Sequence, residues 1–362
     1  MGGEAFGWEE KTLAGRAELA ARAALLHSRG LTEPGDEDLI LGLFDGEQLV
    51  ATGALVGSVL EGIAVAEGVE GEGAAVTIVS SLIKQAVGRG MRQLFLFTTS
   101  QEAGRFETMG FSFLASTGSK GVALLEWGMN GIERWLAGLK TRTHGKPGNA
   151  AAVVVNCNPF TLGHRALIEY AASKAPWLYV FVVEEDRSLF PFKVRIDLVR
   201  RGTADLRNVT VLEGGPYIIS SATFPTYFIR PAAVGGDASA RAVELHAALD
   251  LALFRRHIAP ALCITDRFVG TEPYCATTSI YNRMMEELLQ DRDGDGPVLR
   301  VHEMPRLEKN GEPVSASKVR ALIRGGDLDT VKELVPRATW EWLRSREAAP
   351  ILEKIRNSDS RH

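Results

Sequence analysis

The chain has 362 residues, 45% hydrophobic and 24% charged, with a net charge of -4. That length exceeds the size at which single cores stop growing and predicts two domains, while the slight acidic balance leaves no basic surplus for nucleic acid. No stretch approaches the ~20 uninterrupted apolar residues of a membrane span, and the N-terminus lacks a basic-then-apolar export signal, so no membrane association is expected. Cys157, Cys263 and Cys275 lack the short spacings of a zinc site or a disulfide framework, which suits a reducing cytoplasm.

In chain order, residues 12–27 read as an amphipathic helix. Apolar runs at 39–44 and 49–56 flank Asp45-Gly46, a hairpin signal. Ile63-Ala64-Val65 enters the glycine-rich stretch Gly68-Val69-Glu70-Gly71-Glu72-Gly73, after which Val76, Val79, Leu82, Ile83, Ala86 and Val87 recur at helical spacing. A strand at 94–97 follows, then a short helix in Phe106–Phe111 stopped by Gly110. This α+β unit ends near residue 130. Residues 141–150, rich in Gly, Pro and polar side chains, read as a linker.

Beyond the linker, strands at 152–157, 178–183, 209–212, 261–264 and 298–302 alternate with helices at 163–174, 192–203, 238–256 and 276–290. Shorter helical pieces lie at 316–323, 327–334 and 337–345. Such alternation predicts a parallel sheet covered on both faces, with ligands collecting beyond the carboxyl ends of the strands.

The turn Asn158-Pro159-Phe160-Thr161-Leu162-Gly163-His164 occupies such an end. A side chain at Gly163 would crowd a phosphate approaching the backbone, and His164 at the helix start can donate to phosphate oxygens. A plain strand-to-helix turn, with His164 capping or packing, fits the same residues. Downstream, Val314-Ser315-Ala316-Ser317-Lys318-Val319-Arg320 sets two hydroxyls and two cations at a helix start, where Ser315 is a plausible N-cap. The same groups can bind a polyphosphate and neutralise a pyrophosphate leaving group. Together, the two motifs favour nucleotidyl transfer.

This pair resembles the signature of the HxGH nucleotidylyltransferase superfamily, with Ser-x-Ser-x-x-Arg as its second motif and Thr161 in place of the first histidine. Thr161 can donate a hydrogen bond but carries no charge, so the electrostatic work would fall on His164. More specifically, Asn156–His164, Ile218–Phe228, Val269–Cys275 and Tyr281-Asn282 resemble the citrate (pro-3S)-lyase ligase family over nearly the whole chain. The resemblance implies that ATP and acetate give acetyl-adenylate and pyrophosphate. The thiol of a CoA-like prosthetic group on the acyl-carrier subunit of citrate lyase then takes the acetyl group, and AMP leaves.

On that basis His164, Thr161 and Arg320 are the catalytic candidates. Asn158, Phe160, Thr161, Gly163, His164, Ser315, Ser317, Lys318 and Arg320 are candidates for holding ATP. Magnesium would bridge the phosphates, with no protein ligand identified. Two other readings stay open: a nucleotidylyltransferase with a stable nucleotide-linked product, and a non-catalytic carrier-binding protein. Lys193 and Arg195 are candidates for phosphate or carboxylate contact or for an exposed helix face. Glu272 and Tyr274 are candidates for the acceptor site or for a turn, and Asp237 for a helix cap. Cys157 reads as core rather than nucleophile.

The glycine loop and Phe106–Phe111 resemble the GNAT acyltransferase fold, whose loop amides hold the pyrophosphate of acetyl-CoA. Glu70 and Glu72 add negative charge there and argue against acetyl transfer. Binding of the CoA-like arm or its carrier, or a packing role alone, are the alternatives. The expected protein is thus α/β: a GNAT-like α+β domain at 1–140, the linker at 141–150, a Rossmann-like nucleotidylyltransferase domain with a parallel sheet at 151–346, and a C-terminal tail at 347–362.

Overall fold

The computed structural model describes residues 7–31, 37–129, 131–186, 188–224, 237–272 and 275–357. The singled-out positions 225–228, 235–236, 273 and 274 lie outside these residues, as does the side chain of Asp237. The chain divides into two compact units, Met1–Gly131 and Ile132–His362.

The first unit contains β1 (Glu9–Thr12), α1 (Arg16–Ser28), β2 (Leu39–Asp45), β3 (Gln48–Val56), β4 (Val59–Val65), α2 (Ala74–Gly88), β5 (Gln93–Thr99), α3 (Ala103–Thr108), β6 (Ser112–Ser116) and β7 (Val122–Gly128). The sheet order is β1-β2-β3-β4-β5-β7-β6. Every pairing is antiparallel except β4 with β5. Gly46, at φ 58°, supplies the positive φ that the tight connection between β2 and β3 requires. In α2, Ala74, Ile78, Val79, Leu82 and Ala86 are buried, a helical stripe that covers the sheet. β1 gave no pattern signal because Glu9–Thr12 is polar; pairing with β2 alone makes it an edge strand.

The second unit begins with α4 (Gly131–Arg142), followed by β8 (Ala150–Val155), α5 (Leu162–Lys174), β9 (Leu178–Val182), α6 (Phe192–Gly202), β10 (Val209–Glu213), α7 (Asp237–Leu253), α8 (Ala259–Ala261), β11 (Ile264–Gly270), α9 (Ala276–Leu289) and β12 (Arg300–Met304). The strand pair β13 (Glu308–Lys309) and β14 (Glu312–Pro313) leads into α10 (Ala316–Gly325), α11 (Leu328–Leu334), α12 (Arg337–Leu343) and α13 (Ala349–Arg356). The main sheet has the order β10-β9-β8-β11-β12, parallel throughout. β9 is buried at every position, as a strand covered on both faces should be.

Three boundaries differ from the sequence reading. Trp135 on α4 packs on Tyr217 with ring centroids 5.1 Å apart, and Arg142 pairs with Glu213 at 2.9 Å. These contacts tie α4 to the second unit, where residues 141–142 end α4, residues 143–149 connect it to β8 and Ala150 opens β8. β11 runs over 264–270 rather than 261–264, because the helical run through Phe254–Ile258 continues into α8. The strand was hidden by its charges. Asp266 is paired to Arg300 at 2.6 Å and His302 at 2.6 Å, and Arg267 lies over the Phe254 ring at 4.4 Å. Finally, within the stretch expected as a tail, Ala349–Arg356 folds as α13, with Ile355 fully buried.

Candidate active site

β8 and β11 are neighbours in the sheet, and the chain adds β9 and β10 on one side of them and β12 on the other. This is the switch point at which an open α/β sheet leaves a crevice at its carboxyl edge. A cavity of about 270 Å³ lies there, reached by residues after β8, β11 and β12 and by the start of α10.

The turn after β8 is held in an unusual conformation. Cys157 adopts φ 54° and the Asn158-Pro159 peptide is cis. Asn158 Oδ1 accepts from the Phe190 amide at 3.0 Å. Thr161 then caps α5: its Oγ1 accepts from the His164 amide at 3.4 Å, and its own amide donates to His164 Nδ1 at 3.1 Å. A neutral imidazole that accepts at Nδ1 carries its proton on Nε2. Burial, then the charges of Arg306 and Arg320, push the His164 pKa down to about 4. His164 is therefore neutral near pH 7 and offers a hydrogen bond, not a charge. The positive charge at the cavity wall is carried by Arg306 and Arg320 rather than by His164.

Gly163 serves a purpose the sequence did not reveal. A Cβ there would stand 2.6 Å from the Val314 carbonyl oxygen, closer than real Cβ contacts allow. Glycine thus lets the start of α5 pack directly on the strand leading into α10, bringing together two motifs about 150 residues apart in the chain.

In the second motif Ser315 is the N-cap of α10, its Oγ accepting from the Lys318 amide at 3.1 Å. Arg320 is 5% exposed. It donates to the Asn158 carbonyl and, at 3.3 Å, to Ser317 Oγ. Asn158, Thr161, Gly163 and His164 line the cavity together with Ser315, Ser317 and Arg320. Two candidates do not. Phe160 is fully buried in the core, its carbonyl accepting from Thr339 Oγ1 at 2.9 Å. The Lys318 ammonium pairs with Glu312 instead. A core aromatic and a surface-paired lysine look the same in sequence as ligand-facing ones.

Arg195 also departs from both of its readings. It is fully buried, and its guanidinium donates to the carbonyls of Val183 at 2.6 Å, Glu185 at 2.9 Å and Phe190 at 2.9 Å. It knots the loop after β9, while Lys193 is exposed. Burial pushes the Cys157 thiol up, beyond nucleophile range. The segment at 218–224 is held by Asp250, which accepts from the Ile219 amide at 2.7 Å, Thr223 Oγ1 at 2.8 Å and Tyr281 Oη at 2.7 Å. Ile219 has φ 45°, a costly state for a β-branched residue that such a buried acceptor can hold.

Sequence reasoning missed Arg306, which lines the cavity from the end of β12. Its Nε donates to the Thr271 carbonyl at 2.7 Å, and it pairs with Glu272. The other Glu272 oxygen accepts from the Cys275 amide at 3.1 Å. A cation just past a strand of a parallel sheet was the available signal. Among the described residues, no three His, Cys, Asp or Glu side chains form a metal-donor cluster, and no helix is long and apolar enough to cross a membrane.

In the first unit, the glycine loop places Gly71 at φ 84° and Gly73 at φ 91°. Arg29 pairs with Glu70 at 2.6 Å and donates to the Val65 carbonyl at 2.7 Å. The loop's acidic side chain is thereby bound to a cation of α1's C-terminal cap.

Residues 150–343 match the family model described as citrate lyase ligase C-terminal domain. The citrate (pro-3S)-lyase ligase of Escherichia coli K12 is 38% identical over 329 residues, 91% of each chain. The Klebsiella pneumoniae enzyme of the same name is 42% identical over 298 residues, 82% of this chain and 84% of its own. That of Haemophilus influenzae is 36% identical over 308 residues, 85% of this chain and 89% of its own. Among solved structures, Escherichia coli ElaA covers 33% of this chain and 99% of its own at 14% identity and a TM-score of 0.30. The ribosomal-protein-S18-alanine N-acetyltransferase from Escherichia coli covers 34% of this chain and 96% of its own at 17% identity and a TM-score of 0.30. With one family model spanning more than half of the sequence and curated relatives spanning most of it, this chain belongs to the citrate (pro-3S)-lyase ligase family of enzymes.

Proposed function

We propose that this enzyme joins acetate to the thiol of the CoA-like prosthetic group on the acyl-carrier subunit of citrate lyase, using ATP and passing through acetyl-adenylate. In the first half-reaction a carboxylate oxygen of acetate attacks the α-phosphorus and pyrophosphate departs. In the second, the carrier thiol attacks the acetyl carbonyl, loses its proton, and AMP leaves. Neither step needs an enzyme nucleophile, so the protein's part is positioning and charge stabilisation.

The observation that carries this reading is the apposition of Gly163 with the Val314 carbonyl, which sets His164, Ser315, Ser317 and Arg320 around one cavity. His164 donates from Nε2 to a non-bridging oxygen of the α-phosphate, where negative charge grows in the transition state. Thr161 acts through His164, fixing its tautomer by occupying Nδ1. Ser315, Ser317 and Arg320 meet the phosphates beyond. This donor set suits anions. When bound, magnesium would add charge neutralisation at the phosphate chain, beside Ser315, Ser317 and Arg320.

Incubation with ATP, magnesium and acetate, with hydroxylamine as trap, tests the first half-reaction. Acetyl hydroxamate with equimolar pyrophosphate is the expected result; a stable nucleotide-linked product, or no product from folded protein, defeats it. Mass spectrometry of the carrier subunit tests the second half-reaction, with a gain of one acetyl group that depends on ATP and acetate.

A further inference from the structure

We propose that Arg306 is a second anion-binding side chain of the cavity, one that recognises the pyrophosphate portion of a bound nucleotide. This deepens the adenylyl-transfer reading and rests on it.

Among the described residues, two cationic side chains line the cavity, Arg306 and Arg320. They approach from different walls. Arg320 is fastened to the Asn158 carbonyl and Ser317, so its charge sits beside the turn that carries His164. Arg306 is fastened to the other wall through the Thr271 carbonyl and Glu272. Anchoring at Nε and at one terminal nitrogen fixes the plane of the guanidinium, which makes arginine a directional phosphate binder. Pro305, immediately before it, restricts the chain that presents it.

Both arginines lower the pKa of His164, so both charges reach the place where the α-phosphate would sit. A single phosphate there is served by His164 and Arg320. A phosphate chain extends farther, and its outer charges require a cation elsewhere on the wall. The motif's own lysine does not line the cavity and pairs with Glu312. Arg306 does line it. Glu272 balances the charge of Arg306, which sets a threshold: a multiply charged anion competes with that carboxylate better than a monoanion.

The test is calorimetric titration of the full chain with inorganic pyrophosphate, ATP and AMP in turn. Losing a charge-assisted phosphate contact in Arg306→Gln should weaken pyrophosphate and ATP binding by about 10- to 100-fold, with a much smaller loss for AMP, whose single phosphate meets Arg306 only as a neighbouring charge. An unchanged pyrophosphate affinity overturns the assignment. So does an equal loss for AMP, which would mean that Arg306 only supports the cavity wall. NMR titration of His164 provides a readout of proximity that does not depend on nucleotide: its pKa should rise in Arg306→Gln, and a pKa that stays put counts against the placement. If that variant fails to fold, Arg306→Lys carries the test, retaining the charge but losing the fork and binding pyrophosphate several-fold more weakly. Acetate-dependent exchange of labelled pyrophosphate into ATP by the unaltered enzyme tests the underlying reading separately. Its absence removes adenylyl transfer while leaving a pyrophosphate site intact.

Discussion

Two glycine-bearing turns, one in each unit, use glycine for opposite reasons. Gly71 and Gly73 need it for backbone conformation: both have positive φ, and a Cβ at either would meet nothing within 4 Å. Gly163 needs it for space, because a Cβ would strike the Val314 carbonyl. The first turn leads into α2 without a side-chain cap, and its flanking Glu67 and Glu70 face Arg29. The second is capped by Thr161 and lines one cavity together with two arginines. A glycine-rich loop before a helix is therefore weak evidence for a phosphate site. Close packing against a second motif, with cations on the walls, is stronger.

The largest expected effect separates chemistry from scaffold. His164→Ala should lower kcat by about 100- to 1000-fold, the usual range for losing a transition-state donor, while the KM for ATP changes far less. Steady-state pyrophosphate release measures both, and an unchanged kcat would remove His164 from the mechanism.

Next come the glycines themselves. Gly163→Ala should cost about 1–3 kcal/mol by forcing the two motifs apart, and the loss should extend to ATP affinity. Gly71→Ala should cost about 1–2 kcal/mol through backbone strain alone, leaving acetyl-adenylate formation unchanged. Thermal melts paired with hydroxamate assays distinguish the two. Equal losses of activity would break the contrast between space and conformation.

Acidification should produce a moderate effect on the second unit. His164 and His246 are both pushed down to about 4, foremost by burial, against an unfolded value of about 6.5. Between those values the unfolded chain binds more protons than the folded one. Their contribution to stability is complete above about pH 6.5 and is lost as the pH falls towards 4. Glu61 in the first unit has the opposite sign, since burial and then Glu37 raise its pKa; its contribution favours folding more as the pH falls through its raised value. Denaturant titrations at several pH values should show a shallower acid-side loss in His246→Gln than in the unaltered protein. An identical slope would mean that His246 is not a buried neutral group.

The smallest effect belongs to Lys318. Because its ammonium is engaged with Glu312 at the surface, Lys318→Ala should cost less than about 1 kcal/mol and change the KM for ATP less than about threefold. A larger rise would return Lys318 to the phosphate site.

Much of the architecture was legible because it follows from local pattern. The period of α2, the apolar strands β8 and β9, and the alternation after residue 150 announced themselves, as did Ser315 at a helix start. The limits were also local. β11 was misplaced because its Asp266 finds partners some 34 to 36 positions away, and β1 because a polar edge strand is defined by its neighbour.

By itself, the sequence determined which residue types stand at the ends of strands and helices, and hence the two motifs proposed to hold phosphate. Tertiary structure alone decided which of their side chains meet. It sent Phe160 into the core and Lys318 to Glu312, made Arg195 a loop knot, left His164 neutral, and added Arg306 to the cavity. The physical reason is range. Capping and periodicity act over a few residues, whereas burial, charge balance and steric approach depend on partners brought together from distant parts of the chain.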